Sequence, residues 1–290
     1  MSILVNKDTK LLVQGITGRE GMFHTEQMIA YGTNVVGGVT PDKGGQMVLG
    51  NVPVFNTVRE AVEKSCANAT ILFVPAKFTV PAAYEAIDAG MKLIITIAEH
   101  VPVQEMMRIH YYAKLLNVRV IGPNSFGIIS PGECKAGFMP HSIFMKGFVG
   151  ILSRSASNCY ETVLNMKSKN IGQSTCVGIG GDMIPGSTFA DLISDSQNDP
   201  MTKAIVIIGE IGGCDEELAA EYIKNNITKP CVALIVGKNA PKGRNMGHAG
   251  AIVGADGTGS AKIKEKILKE AGCYIAESTL HIVEILDSLL

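Results

Sequence analysis

Tryptophan is missing from this 290-residue chain and aromatic residues make up only 6% of it, so there is little material for a base-stacking platform. Charge of either sign is in no surplus: 26 lysines and arginines meet 27 aspartates and glutamates, with no basic block or acidic tail. A general nucleic-acid binder needs a cationic face, and that class is excluded. The seven cysteines (Cys66, Cys134, Cys159, Cys176, Cys214, Cys231 and Cys273) are odd in number and lack any C-x-x-C spacing. A disulfide framework and a zinc site are therefore not expected, no metal site is anticipated, and a reducing compartment fits best. No apolar run approaches the roughly 20 residues of a membrane span. The N-terminal "MSILVNKDTKLLVQG" has neither the apolar core of a signal peptide nor the Arg/Ser-rich character of a transit peptide. The expectation is a soluble cytoplasmic protein, or a mitochondrial or other organelle-matrix one if a transit peptide has been removed. Two enzyme motifs are also lacking. "GADGTGSAK" spaces Gly254 and Gly259 as a Walker A loop would, but puts Ser260 and Ala261 at its Lys and Ser/Thr positions. "SRSASN" has no G-x-S-x-G elbow.

What is present is apolar and alternating. Hydrophobic residues are 46% of the chain, and its length exceeds what one core usually serves, so two domains are predicted. Strands are read at 10–14, 35–39, 69–74, 93–97 and 118–122, with helices over 22–31, 57–65, 80–89 and 103–116. The strand segments are continuous apolar runs, as when helices cover both faces of a parallel sheet. Residues 122–146, rich in glycine and proline, read as a connector. A second set of strands (149–153, 174–180, 204–209, 230–236, 273–276) alternates with helices at 157–168, 187–195, 215–225, 261–271 and 279–289. Two doubly wound α/β domains follow, spanning 1–125 and 126–290.

Three features bear on chemistry. "QGITGREG" places Gly15, Gly18 and Gly21 between the first strand and first helix, where free amides and the helix dipole suit a phosphate; a ligand-free tight turn is the plainer reading. The second strand ends at Asp42 and Lys43, and the lysine favours coenzyme A or NADP over NAD. The third is His248, alone in "GRNMGHAGAI". A lone loop histidine is usually a surface residue. This one lies in a long loop, about 237–260, at the carboxyl end of a strand, where α/β sheets place their sites. Glu210 ends a neighbouring strand and would accept one imidazole N–H, freeing the other nitrogen as a nucleophile. Ser153, Ser155 and Ser157 precede a helix and would form an anion hole for a phosphorylated histidine.

Taken together, "QGITGREG…FHTEQM", "GGVTPDKGG", "GECK", "SRS", "STCVGIGGD-x-IPG", "GEIGG" and "APKGRNMGHAGAI" resemble the α subunit of succinyl-CoA synthetases (succinate–CoA ligases) in order and spacing along the whole chain. The resemblance implies a Rossmann-like CoA-binding N-terminal domain and a flavodoxin-like C-terminal domain. It also implies a partner β subunit of ATP-grasp fold that binds Mg2+ and ATP or GTP, in a heterodimer or heterotetramer, and a dicarboxylate substrate. By the same resemblance His248 is the phosphohistidine and Glu210 its steadying carboxylate. CoA would be held by Thr17, Gly18, Arg19, Glu20, Lys43, Val74, Pro75, Ile97, Ala98 and Glu99; substrate and phosphate would meet Asn124, Ser125, Ser155, Ala156 and Tyr160. The chain departs from the family where "GPNSFG" puts Ser125 and Phe126 for Cys and Pro, and where "SRSASNCYE" has Ala156, Ser157, Asn158 and Cys159. Both stretches line the family's acyl pocket, so the same chemistry on citrate or malate is an alternative to succinate. A CoA-binding regulatory module without chemistry and an NAD(P) oxidoreductase are the other readings. Neither gives His248 a role.

Overall fold

A computed structural model describes residues 2–290. The first half forms a seven-stranded sheet from β1 (Leu11–Gln14), β2 (Val35–Val39), β3 (Met47–Val48), β4 (Val52–Phe55), β5 (Ala69–Leu72), β6 (Leu93–Thr96) and β7 (Arg119–Ile121). Its order is β3-β4-β2-β1-β5-β6-β7, parallel throughout except for β3 at the edge. Helices α1 (Arg19–Tyr31), α2 (Val58–Ser65), α3 (Ala76–Asp88) and α4 (Val103–Leu115) alternate with the strands. Every residue of β1, β5 and β6 is buried, which accounts for their unbroken apolar sequences. The parallel strands follow the Rossmann order, whose direction of winding reverses between β1 and β5.

The second half builds another seven-stranded sheet from β8 (Gly127–Ser130), β9 (Cys134–Gly137), β10 (Lys146–Ser153), β11 (Gln173–Gly178), β12 (Ala204–Glu210), β13 (Cys231–Val236) and β14 (Tyr274–Ile275). It carries α5 (Ala156–Ser168), α6 (Phe189–Asn198), α7 (Asp215–Asn226), α8 (Ala261–Glu270) and α9 (Thr279–Leu289). The strands run β14-β13-β12-β10-β11-β8-β9. The five parallel members have the flavodoxin-like order, with the winding reversed between β10 and β12.

Two segments differ from the sequence reading. Residues 122–146 are not a plain connector: they contain the antiparallel hairpin β8–β9, added to the sheet edge by pairing of β8 with β11. Its turn is Ser130-Pro131-Gly132-Glu133, closed by the Glu133 amide on the Ser130 carbonyl at 2.9 Å, with Gly132 at φ 78°. Strands β3 and β4 are likewise additional; at two and four residues they are too short for alternation to declare them.

The hairpin also joins the halves. Thr33, just past α1, donates its hydroxyl to the Lys135 carbonyl at 2.7 Å and accepts the Lys135 amide at 3.0 Å. Ser130 donates to the Val5 carbonyl at 2.8 Å, and the Gly132 amide to the Tyr31 hydroxyl at 2.8 Å. A single buried apolar cluster runs from Leu11 and Ile95 in the first sheet to Ile128, Val177 and Ile207 in the second. Among the described residues no helix is long and apolar enough to cross a membrane.

Candidate functional site

The carboxyl edge of the first sheet gathers most of the residues assigned to CoA. The turn after β1 brings Thr17, Gly18, Arg19 and Glu20 to the start of α1, and Thr17 donates its hydroxyl to Thr40 beyond β2 at 3.1 Å. Lys43 follows β2, Val74 and Pro75 follow β5, and Ile97, Ala98 and Glu99 follow β6. Gly18 caps α1 with no side-chain hydrogen bond, leaving first-turn amides for a ligand. At Gly21 a Cβ would lie 2.2 Å from the Gly15 carbonyl oxygen, so the turn reaches this tightness only with glycine there. A narrow turn with uncapped amides suits the phosphates of a nucleotide.

The second site lies at the carboxyl edge of the second sheet, at the reversal between β10 and β12. Glu210 is the last residue of β12, and its Oε2 is 2.6 Å from His248 Nδ1. With the carboxylate ionised, Nδ1 carries the proton and no described residue hydrogen-bonds Nε2. The ring packs against residue 181 so closely that a Cβ there would sit 2.4 Å from it, which restricts that position to glycine. Ser155, Asn158, Glu210, Gly247 and His248 line a cavity of about 330 Å³. Ser155 caps α5 by accepting from the Asn158 amide at 3.4 Å and from the Asn158 side chain at 2.8 Å. The amides of Ala156 and Ser157 have no intrahelical acceptor and make this end of the cavity electropositive.

The loop that presents His248 is better organised than a glycine-rich tract suggests. Asn245 and Ile252 form an antiparallel bridge, the Gly243 amide donates to the Val253 carbonyl at 2.8 Å, and the Asn245 side chain donates to the His248 carbonyl at 2.8 Å.

Behind the pair lies a buried charge network that the sequence reading left without a role. Arg154, between Ser153 at the end of β10 and the capping Ser155, faces Glu210 at 3.7 Å, Asp215 at 3.3 Å and Glu216 at 3.8 Å. Glu216 accepts the Glu210 amide at 3.0 Å and pairs with Lys264, which also donates to the Gly212 carbonyl at 2.7 Å. Burial would lower the Arg154 pKa, but Glu216, Asp215 and Glu210 outweigh it and hold the guanidinium charged. The hydrogen bond to Glu210 raises the His248 pKa, against partial burial and the repulsion of Arg154. Lys264 is wholly buried, so Lys264→Met strands the Glu216 carboxylate. The expected loss is about 3–5 kcal/mol, read as a lower urea midpoint at unchanged slope.

The raised His248 pKa has a sign for reactivity. Glu210 favours the imidazolium, so the neutral ring, the form that could act as a nucleophile, accumulates only above the ordinary value of about 6.5. Glu210→Gln should move the acid limb of histidine phosphorylation to lower pH and cut its plateau by about 10²-fold or more. Phosphate incorporation followed from pH 5 to 9 measures both; an unmoved limb would separate Glu210 from the reacting ring.

Not every sequence-assigned residue reaches a cavity. Ser155 borders the His248 cavity, and Ala156 opens the helix beside it. Ser125 does not: it is buried, donating to the Gly178 carbonyl at 2.5 Å and accepting the Gly127 amide at 2.9 Å. Phe126 is a core residue, 3% exposed, lying over Gly178 and edge-on to Tyr160 at 5.6 Å. Its bulk fills the interior and does not narrow an open acyl pocket. Tyr160 lies between Phe126 and Phe144 with its hydroxyl buried and unpaired among the described residues, and that burial raises its pKa. Asn124 bridges the two edges, its amide donating to the Ala98 carbonyl at 2.9 Å and its carbonyl accepting from Gly181 at 3.3 Å.

Comparison with known proteins agrees with both halves. Residues 6–100 match the CoA binding domain family and residues 152–274 the CoA-ligase family. The alpha subunit of ADP-forming succinate–CoA ligase from Aquifex aeolicus is 50% identical over 292 residues, covering 100% of this chain and 95% of its own. The corresponding alpha subunit 2 of Archaeoglobus fulgidus is 47% identical over 290 residues, covering 100% of each. A solved ATP citrate lyase of Methanosaeta concilii in complex with (3S)-citryl-CoA superposes with a TM-score of 0.89 at 25% identity, over 99% of this chain and 51% of that one. With such identity sustained from end to end, the chain belongs to the succinate–CoA ligase alpha-subunit family.

Proposed function

We infer that this chain is the α subunit of an ADP- or GDP-forming succinate–CoA ligase, which interconverts succinate, CoA and a nucleoside triphosphate with succinyl-CoA, the diphosphate and phosphate. The observation that carries the reading is the 2.6 Å His248–Glu210 pair, set beside an open cavity and the Ser155-capped start of α5, whose first amides have no intrahelical acceptor. Glu210 fixes Nδ1–H, so Nε2 presents its lone pair to a phosphoryl group. The amides of Ala156 and Ser157 receive the phosphate oxygens, and Arg154 lies behind Glu210 at 3.7 Å. The covalent phosphohistidine divides one transfer into two steps and lets separate pockets share one phosphoryl group. ATP or GTP with Mg2+ belongs to a partner β subunit of ATP-grasp fold, in a heterodimer or heterotetramer. CoA would lie along the first sheet's carboxyl edge, on Thr17–Glu20, Lys43, Val74, Pro75 and Ile97–Glu99. The seam between the CoA-binding and ligase halves is placed near residue 125. A cytoplasmic location accords with seven free cysteines.

Succinate is the acid assigned, because Phe126 is spent in the core and no longer argues for a different pocket. The test is the chain assembled with its β subunit and given labelled ATP and magnesium. An acid-labile, base-stable phosphate on His248 and turnover with succinate support the reading. Turnover with malate, citrate or itaconate but not succinate overturns its substrate, and absence of the phosphate overturns its mechanism.

A further inference from the structure

The two sheet edges meet at a second, smaller cavity of about 170 Å³, bordered by His100, Val101, Pro102, Met106, Asp182 and Ala249. It lies next to Ile97–Glu99 on one side and to the histidine loop on the other. Its lining is almost wholly aliphatic. The exception that matters is Asp182, only 5% exposed, whose Oδ1 accepts from the Asn124 side chain at 3.2 Å. Its Oδ2 is buried and makes no hydrogen bond of good geometry among the described residues, although the Val101 and His100 amides face the carboxylate. A buried carboxylate oxygen left unpaired is costly, and folds keep one where a ligand brings the missing proton.

Size and chemistry describe that ligand. Pockets for whole small molecules run roughly 300–1,000 Å³, so this one takes only the end of a longer molecule. An aliphatic wall with one unpaired acceptor suits a slender, uncharged end bearing an acidic hydrogen. CoA ends in such a group, a thiol on a two-carbon arm. Its assigned site stops at Glu99, where this cavity starts. Asn124 fixes the geometry on both sides, since it holds Asp182 through its side chain, Ala98 through its amide and Gly181, behind the His248 ring, through its carbonyl.

We propose that this cavity seats the thiol end of CoA and that Asp182 is the base that takes its proton. This rests on the succinate–CoA ligase reading. The S–H proton passes to Asp182 Oδ2. The thiolate sulfur then bonds the carbonyl carbon of the acyl phosphate, whose C–O bond to phosphate breaks. The phosphate leaves with the electron pair and takes up the proton from Asp182. Burial raises the Asp182 pKa, against the hydrogen bond from Asn124, the facing amides of Val101 and His100, and the His100 ring, and so brings the carboxylate nearer to a thiol in basicity. Two other titratable groups face the cavity region. His248 is committed to Glu210, and the His100 side chain is 69% exposed and 3.6 Å from Glu99.

The test is Asp182→Asn, which keeps the shape of the side chain, in the assembled α–β complex. Four quantities are read: the CoA dissociation constant by calorimetry, phosphorylation of His248 by ATP, single-turnover succinyl-CoA formation, and succinohydroxamate formation with hydroxylamine in place of CoA. Hydroxylamine attacks an acyl phosphate without a base. The expected result is thioester formation slowed by about 10²–10⁴-fold, with CoA affinity, phosphohistidine and hydroxamate as in the wild type. Unchanged thioester formation overturns the proposal. So does a parallel fall of all the rates, which would make Asp182 a mere prop for the histidine slot. A wild-type complex that never phosphorylates His248 fails the underlying reading instead, and the wild-type control reveals it.

Discussion

Replacing His248 by asparagine should leave CoA binding intact while stopping turnover. The ring lies at the second sheet's edge and Thr17–Glu20 at the first, and the link between the edges, Asn124 bonded to Ala98 and Gly181, is made through its backbone and does not use the imidazole. Asparagine is smaller than imidazole and does not crowd Gly181. It offers no nucleophile, however, and loss of a covalent catalyst's reacting group typically costs about 10⁴-fold or more. The expected outcome is no acid-labile phosphate, no succinyl-CoA from succinate and ATP, and a CoA dissociation constant within about threefold of wild type by calorimetry, a margin of under 1 kcal/mol. Turnover within tenfold of wild type would remove the phosphohistidine from the account.

Gly21→Ala should give the opposite pattern. The added Cβ would meet three backbone atoms, the Gly15 carbonyl oxygen at 2.2 Å, its carbon at 2.9 Å and the Ile16 Cα at 3.1 Å. None of these is a flexible side-chain end, so the turn itself must open. Opening it moves the α1 amides away from the ligand's phosphates, and a fall in CoA affinity of about 100-fold, or roughly 2.7 kcal/mol, is expected. His248 and Glu210 are untouched, so ATP-dependent phosphorylation should proceed normally. Calorimetry and labelled phosphate read the two effects on one preparation. Retained CoA affinity would show that the glycine turn holds no ligand. The two variants together ask whether the halves of the chain carry separable tasks.

Much of the fold was legible because its strands are buried on both faces. β12 is buried along its entire length, and "AIVIIGE" declares that as one unbroken run. The pairing of His248 with Glu210 was legible too, since an isolated titratable ring in a long loop at a strand's carboxyl end has few structural uses and the neighbouring strand ends in a carboxylate. The hairpin β8–β9 was not. Its pairing partner, β11, lies beyond another strand and a helix, and only the Pro131-Gly132 turn announced it locally. The charge network was hidden in a different way. "AKIKEKILKE" reads as a lysine-rich solvated helix, yet Lys264 falls on the Ala261–Leu268 stripe that faces the core. Burial there becomes intelligible only when α7 supplies Glu216 and Glu217 from the other side. Arg154 is similar: a cation between an apolar strand and a helix cap needs carboxylates, and those come from β12 and α7. Ser125 and Phe126 mark the limit of motif reasoning, because both side chains turn inward where the resemblance suggested a pocket.

The bridge between Asn245 and Ile252 sets a limit on distance. With both stems of the hairpin pinned, only the tip from Met246 to Gly250 is left to travel, and it must first give up the bonds of Asn245 and Ala251 to the His248 carbonyl. A stretch that short, out and back at roughly 3.5 Å per residue, extends on the order of 10 Å. On the function proposed above, a nucleotide donor held by the β subunit must therefore come almost to the ring's doorstep, unless the stems unzip. A crosslink between residues 245 and 252 that leaves phosphorylation intact would locate that nucleotide within arm's length.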